Sequence, residues 1–226
     1  MNFAIQNKRI LVTQADEFMG PAICTFLQEQ GAIVLKQSGA ITSSEAPKNL
    51  IAECGEIDIL IANLALPAPS TRVQEVEDDE WKTVFDALVH PLPRLVRAVL
   101  PQMMERRSGK IIVIGSASAL RGINRASTYS AARGAQLSYV QAIGVELAAH
   151  NIQVNAIAQN FVDNPTYFPT ETQANPRFQE RLKREVPLGR LVAAHEDAAL
   201  VAYLCSDAAH CFVGQVFPLA GGWVIR

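Results

Sequence analysis

Three residues in the second half of the chain have the types and spacing to handle one oxygen atom. Ser116 follows the apolar run KIIVIG, and Tyr129 and Arg133 lie four apart at the start of a long helical pattern. Spacing i, i+4 puts the phenol and the guanidinium on one helical face, and a serine at a strand end can turn its hydroxyl toward them. Such a set can hold a hydroxyl and move its proton. A phenol ordinarily titrates near ~10 and is a poor base at neutral pH unless a permanent cation favours the phenolate; Arg133 is such a cation. On spacing alone, a Tyr–Arg surface pair beside a capping serine is the alternative.

A second unusual stretch is TQADEFMG, residues 13 to 20, which joins a strand to a helix in the manner of a phosphate-binding turn. Gln14 and Phe18 stand where a dinucleotide fingerprint has glycine, while Thr13 and Gly20 keep its frame. Close approach of backbone to cofactor depends on glycine, so a ring at position 18 occupies space that a nicotinamide or its ribose needs.

The elements that position these residues are short Ile/Val/Leu runs alternating with helical patterns: 9–13, 32–36, 57–63, 110–115, 152–158 and 215–220. Nearly continuous apolar runs suit strands buried on both faces. The expected fold is α/β, a Rossmann-like doubly wound parallel sheet with helices on both faces, as one domain over 1–226. The segment between the second and third runs has room for one abbreviated strand and one helix. Long helices at about 79–107 and 127–149 carry Leu88, Leu92, Leu95, Val99, Leu137, Val140 and Ile143, leaving one face for the sheet and another for a partner. Pro and Gly cluster at 66–70, 161–171 and 186–190, which are therefore loops. In such sheets ligands bind beyond the carboxyl ends of the strands, where these loops converge.

Composition removes several function classes. A net charge of -2 over 226 residues supplies no long-range attraction for nucleic acid or anionic membranes. The basic stretch 177–190 is interleaved with glutamates and reads as a solvated helix face. MNFAIQNKRILVT lacks the features of a secretory leader and no apolar run approaches a membrane span, so a cytoplasmic protein is expected. Cys24, Cys54, Cys205 and Cys211 lie singly in apolar contexts and read as buried reduced thiols; the four histidines are scattered, and no metal site is expected.

The pattern S-x12-Y-x3-R, followed by the NIQVNAIA strand, resembles the catalytic region of short-chain dehydrogenases/reductases. IDILIANLA, RAVLPQMMERRSGKIIVIGSAS and FPLAGGW resemble further landmarks, so the resemblance spans essentially the whole chain. The departures converge on the nicotinamide cofactor. Arg133 replaces the lysine that holds the nicotinamide ribose, and Leu88 replaces a proton-relay asparagine. The second strand ends Leu35-Lys36-Gln37-Ser38 without the carboxylate of NAD-using members, and Gln14 and Phe18 replace glycines.

T-x4-F-x-G combined with S-x12-Y-x3-R is similar to the halohydrin dehalogenases, which convert vicinal haloalcohols to epoxides without a nicotinamide. The resemblance implies no cofactor. Ser116 would hold the substrate hydroxyl, Tyr129 would remove its proton, and Arg133 would favour the phenolate. Thr13, Phe18 and Gly20, in the cofactor-vacated turn, would belong to the halide- and substrate-binding set. Asn160, Phe161 and Val162 match the halide loop, where backbone N–H groups could form an anion nest shaped by Asn160. Phe161, Tyr167 and Phe168 would dehydrate the halide and shape the cavity with Phe18, although each aromatic could equally be loop packing. Epoxide opening by halide, azide, cyanide or nitrite would be the reverse activity, and a homotetramer built through the long helices is implied. The chain ends shortly after Trp223, which could line a pocket or simply pack, so no tail reaching a neighbour's site is expected. The rivals are a divergent NAD(P)-dependent reductase and a non-catalytic sensor or scaffold of the same fold.

Overall fold

The six apolar runs form six parallel strands in the computed structural model, which describes residues 3–225. In chain order they are β1 (Arg9–Val12), β2 (Ile33–Lys36), β3 (Ile59–Asn63), β4 (Gly109–Ser116), β5 (Ile152–Gln159) and β6 (Val216–Leu219). The sheet order is β2-β1-β3-β4-β5-β6. The helices are α1 (Gly20–Glu29), α2 (Ala46–Cys54), α3 (Asp78–Leu88), α4 (Pro91–Glu105), α5 (Ser127–Ala148), α6 (Thr170–Ala174), α7 (Pro176–Glu185) and α8 (Ala194–Cys205). This is the single-domain Rossmann-like fold expected from the sequence.

Because side chains alternate along a strand, each sheet face collects one set of residues. Leu60, Ala62, Ile111, Val113, Val154 and Ala156 pack with α3, α4 and α5. Ile59, Ile61, Ile112 and Ile157 pack with α1 and α8. Both layers are built mainly of apolar side chains; Asn155, buried in the middle of β5, is bonded to the Phe212 carbonyl and the Gln215 N–H.

Several expectations change. The helix expected at 79–107 is two helices, because Pro91 has no N–H to continue the ladder after Leu88. Leu88, Leu92, Leu95, Val99, Leu137 and Val140 are all buried within the chain; Trp81, Met104 and Val145, at 46%, 37% and 73% exposed, are the large apolar residues these helices turn outward. Between β2 and β3 there is no strand, only α2, since the Ser- and Gly-rich stretch before it lacks a β-branched run. Cys24 and Cys205 are buried, but Cys54 is half-buried and Cys211 exposed; all four are free thiols. The basic stretch forms the largely solvated α7. No described helix is long and apolar enough to cross a membrane.

The seat of α5 on the sheet depends on one small residue. A Cβ on Gly144 would lie 2.5 Å from the Cα and N of Gly214, which are backbone atoms unable to yield. Gly144→Ala is expected to lower the unfolding free energy by about 3 kcal/mol, at the upper end of overpacking costs. A urea midpoint unchanged from wild type would show that the crossing relaxes freely.

Candidate active site

At the carboxyl ends of β1, β3, β4 and β5 lies a cavity of about 150 Å³. It brings together Ser116, Tyr129, Arg133, Phe18, Asn160, Phe161, Val162, Tyr167 and Phe168, nine of the residues singled out from the sequence. Thr13 and Gly20 do not line it. They shape the turn beneath: Thr13 Oγ1 donates to the Asn63 carbonyl at 3.0 Å, and a Cβ on Gly20 would meet the Gln14 carbonyl oxygen at 2.6 Å.

Ser116 is the last residue of β4, and its Oγ accepts both the backbone N–H of Ser118 at 3.2 Å and the Ser118 hydroxyl at 2.9 Å. With its acceptor side engaged by Ser118, the Ser116 hydroxyl has its own proton to offer the cavity. Tyr129 and Arg133 occupy the first two turns of α5, and both are buried. The Arg133 guanidinium carbon lies 5.0 Å from the centre of the Tyr129 ring, a cation–π contact. Its Nη1 donates to the Ile114 carbonyl at 3.1 Å and to Gln136 Oε1 at 2.9 Å. Gln136 Nε2 in turn donates to the Leu88 carbonyl at 2.6 Å. The start of α5 is tied to α3 through Glu80, which accepts from Thr128 at 2.7 Å and from Thr71 at 2.5 Å; these bonds hold its carboxyl below the usual range.

The β1–α1 turn keeps the backbone of a phosphate cradle but not its space. Gln14 and Phe18 have φ of 42° and 46°, left-handed values that glycine adopts without cost. The Gln14 side chain lies across the turn, accepting from the Ala65 N–H at 2.5 Å and donating to its carbonyl at 3.4 Å. Asn63 Nδ2 closes the turn by donating to the carbonyls of Gln14 and Glu17, at 2.9 and 3.1 Å. The Phe18 ring packs against Tyr167, with ring centres 5.1 Å apart, so the turn and the loop after β5 meet across the cavity mouth.

That loop is organised by two asparagines. Asn160 Oδ1 accepts from the Phe161 N–H at 2.9 Å, fixing Phe161 at φ 52°. Asn164 donates to the Val162 carbonyl at 2.8 Å and accepts from the Tyr167 N–H at 2.9 Å. The expected anion nest is smaller than its sequence suggests. The Asn160 N–H goes to the Leu219 carbonyl, that of Phe161 to Asn160, and that of Asp163 to the Val192 carbonyl. Val162 keeps its N–H unbonded among the described residues.

The Tyr167 hydroxyl accepts from the Ala68 N–H at 2.9 Å and donates to the Leu66 carbonyl at 3.4 Å, on the side of the cavity shared with Tyr129. Burial, and then the neighbouring Tyr129, push its phenol up, so it stays protonated. Phe161 stacks on Phe168 and meets the edge of Trp223, with centres 6.0 and 6.1 Å apart. Trp223 does not line the cavity. Arg121 covers it at 4.6 Å and donates to its carbonyl at 2.6 Å, so it packs behind Phe161.

Ser118, Asn63, Asn164 and Gln136 were not singled out from the sequence. The first three carried a usable signal, being small polar residues at strand ends or turns that bond nearby backbone. Gln136, one helical turn past Arg133, had only its i+3 spacing. Among the described residues no cluster of three or more His, Cys, Asp or Glu side chains could hold a metal ion. Chemically, the cavity offers a hydroxyl donor, a phenol beside a fixed cation, and an aromatic compartment floored by amides.

Residues 3–224 match the family described as enoyl-(acyl carrier protein) reductase. The chain is 31% identical over 248 residues to the 3-oxoacyl-(acyl-carrier-protein) reductase FabG of Pseudomonas aeruginosa, an alignment covering 97% of this chain and 98% of that one. Among solved structures it is similar to one described as a dehalogenation enzyme, with TM-score 0.90, 30% identity and coverage of 97% and 99%. It is also similar to the halohydrin dehalogenase HheC bound to ethyl (2S)-oxiran-2-ylacetate, with TM-score 0.88, 28% identity and coverage of 97% and 98%.

Proposed function

Because the chain belongs to the enoyl-(acyl carrier protein) reductase family of the short-chain dehydrogenase/reductase superfamily, we propose that it uses this reductase fold for cofactor-independent dehalogenation of vicinal haloalcohols to epoxides, and for the reverse opening of epoxides by halide, azide, cyanide or nitrite. The observation that supports this most directly is the filled turn. A dinucleotide does not fit: the Gln14 side chain is hydrogen-bonded across the cradle to Ala65, and the Phe18 ring meets Tyr167 over the space a nicotinamide would take. Arg133, committed to Ile114 and Gln136, stands in place of a ribose-binding lysine. The likeness to FabG favours a reductase, but the likeness to HheC is of similar extent, and it is the turn that separates the two.

In the proposed reaction Ser116 donates a hydrogen bond to the substrate hydroxyl oxygen, and Tyr129, as phenolate, accepts its proton. The alkoxide forms a carbon–oxygen bond with the adjacent carbon from behind, and the electrons of the breaking carbon–halogen bond leave with the halide. Arg133 supplies the fixed positive charge beside the phenolate, preorganised by its carbonyl and amide contacts. Phe161, Phe168, Phe18 and Tyr167 enclose the halide compartment, while Asn160 and Val162 offer it donors. In the reverse direction an anion in that compartment attacks the epoxide carbon and Tyr129 returns the proton. The same proposal has a cytoplasmic homotetramer, with Trp81, stacked on Phe85, and Val145 on the faces of α3 and α5 available for its contacts.

The test is bromide release from a simple vicinal bromohydrin with no nicotinamide added. Release by wild-type protein is expected, with no thermal shift on adding NADPH. No release together with an NADPH-induced shift would sink the dehalogenase reading and favour a reductase.

A further inference from the structure

The amide floor of the cavity contains one side chain with an unusual support. Gln159 ends β5, in register with Ser116 across the sheet, and lines the cavity. Its Nε2 donates to Asp197 Oδ1 at 2.6 Å. Asp197 lies in the first turn of α8, is wholly buried, and its Oδ2 has no hydrogen-bond partner. A buried carboxyl oxygen without a partner is costly, and such groups collect at functional sites.

The loop leaves the anion compartment few donors, because among the backbone N–H groups of residues 160–163 three are bonded within the protein and that of Val162 is unbonded. Gln159 Nε2 has two hydrogens and spends one on Asp197. We propose that the second is a hydrogen-bond donor to the halide or other small anion, and that Asp197 is the positioning residue holding the Gln159 carboxamide nitrogen toward the cavity. This deepens the dehalogenase reading and rests on it.

A carboxyl behind an anion site has a charge consequence. While it carries a proton the compartment has no competing negative charge; once ionised, it repels the anion through the amide. Burial pushes the Asp197 carboxyl up to about 7, opposed by the bond from Gln159. The titratable and charged groups on the surrounding elements are Cys24 of α1, whose thiol burial pushes up, Asp16 and Glu17 of the β1–α1 turn, and His195 and Glu196 of α8. Asp16, Glu17 and His195 are exposed, and Glu196 is paired with Arg190 at 2.7 Å. None of them is bonded to Asp197.

Azide and bromide binding can be read without turnover, from the rise of the thermal midpoint with anion concentration at constant ionic strength made up with sulfate. Wild type is expected to bind both anions, roughly tenfold more weakly at pH 8.5 than at pH 5.5, a shift of the size that one nearby charge produces. Gln159→Leu is expected to weaken binding about tenfold at pH 5.5, the loss of one hydrogen bond to a charged group. Asp197→Asn is expected to bind equally at both pH values. Should Gln159→Leu misfold with Asp197 left bare, Gln159→Leu/Asp197→Leu removes both partners and is expected to show the same weakened, pH-independent binding. Wild-type affinity in the Gln159 variants, or an unaltered pH profile in Asp197→Asn, would overturn the inference while leaving the dehalogenase reading standing. A wild-type protein that binds neither anion would overturn both.

Discussion

Tyr129→Phe is expected to reduce bromide release from a bromohydrin by about 10³-fold or more while leaving the thermal midpoint nearly unchanged. The rate effect follows from removing the phenol that lies beside Arg133, the cavity's other phenol, Tyr167, being pushed up by burial, and general-base contributions run to about 10²–10⁴-fold. The stability effect is small because the ring remains: its face still meets the Arg133 guanidinium at 5.0 Å, and burial of the phenyl group is preserved. Tyr167, the neighbouring phenol, keeps its bonds to the Ala68 N–H and the Leu66 carbonyl. Initial-rate halide assays paired with thermal melts separate the two effects. Activity retained above a tenth of wild type would remove Tyr129 from the proton-transfer role and leave the Ser116/Arg133 pair without a base.

The fold was legible because burial on both faces demands continuous apolar runs, and six of them appear at βα spacing. That Ser116, Tyr129 and Arg133 would line one cavity was legible for a related reason: a strand end and a helix start fix two backbone positions, and i, i+4 does the rest. What escaped the sequence lies where position along the chain says little about direction. Leu88 to Val99 look amphipathic to a partner, yet all of these leucines and valines are buried within the chain, α3 packing on α5 and α4 on β3 and β4, with Pro91 at the break between the two helices. The sequence places the Phe18 ring in the turn between β1 and α1, and the structure sets it against Tyr167. That Gln14 keeps a glycine-like φ and bonds Ala65 as a strand neighbour would, however, needs the structure. The loop after β5 showed its asparagines but not that Asn160 would consume the Phe161 N–H itself. Gln159 and Asp197, 38 positions apart, share no pattern at all and meet only because α8 lies over β4, whose end is in register with that of β5.

That pair leads to the second large effect, on stability. Asp197 has an ordinary carboxyl value of 3.8, which burial raises to about 7 in the folded protein. Between these values the folded state holds a proton that the unfolded state has released, so the unfolding free energy falls as pH rises from about 4 to about 7 and is level thereafter with respect to this group. At ~1.4 kcal/mol per unit the loss reaches about 4 kcal/mol, a large fraction of an ordinary domain's stability. Asparagine has the shape of the carboxyl without the charge. Asp197→Asn is therefore expected to match wild type near pH 4 and to exceed it by about 3–4 kcal/mol at pH 8. Urea unfolding of both proteins at the two pH values reads this directly, since every other titrating group cancels in the difference. An equal difference at both pH values would mean that Asp197 stays ionised in the fold. A gain at pH 8 accompanied by loss of the pH response in azide binding would tie this cost to the site, as expected where a buried charge is kept for what it does to a ligand.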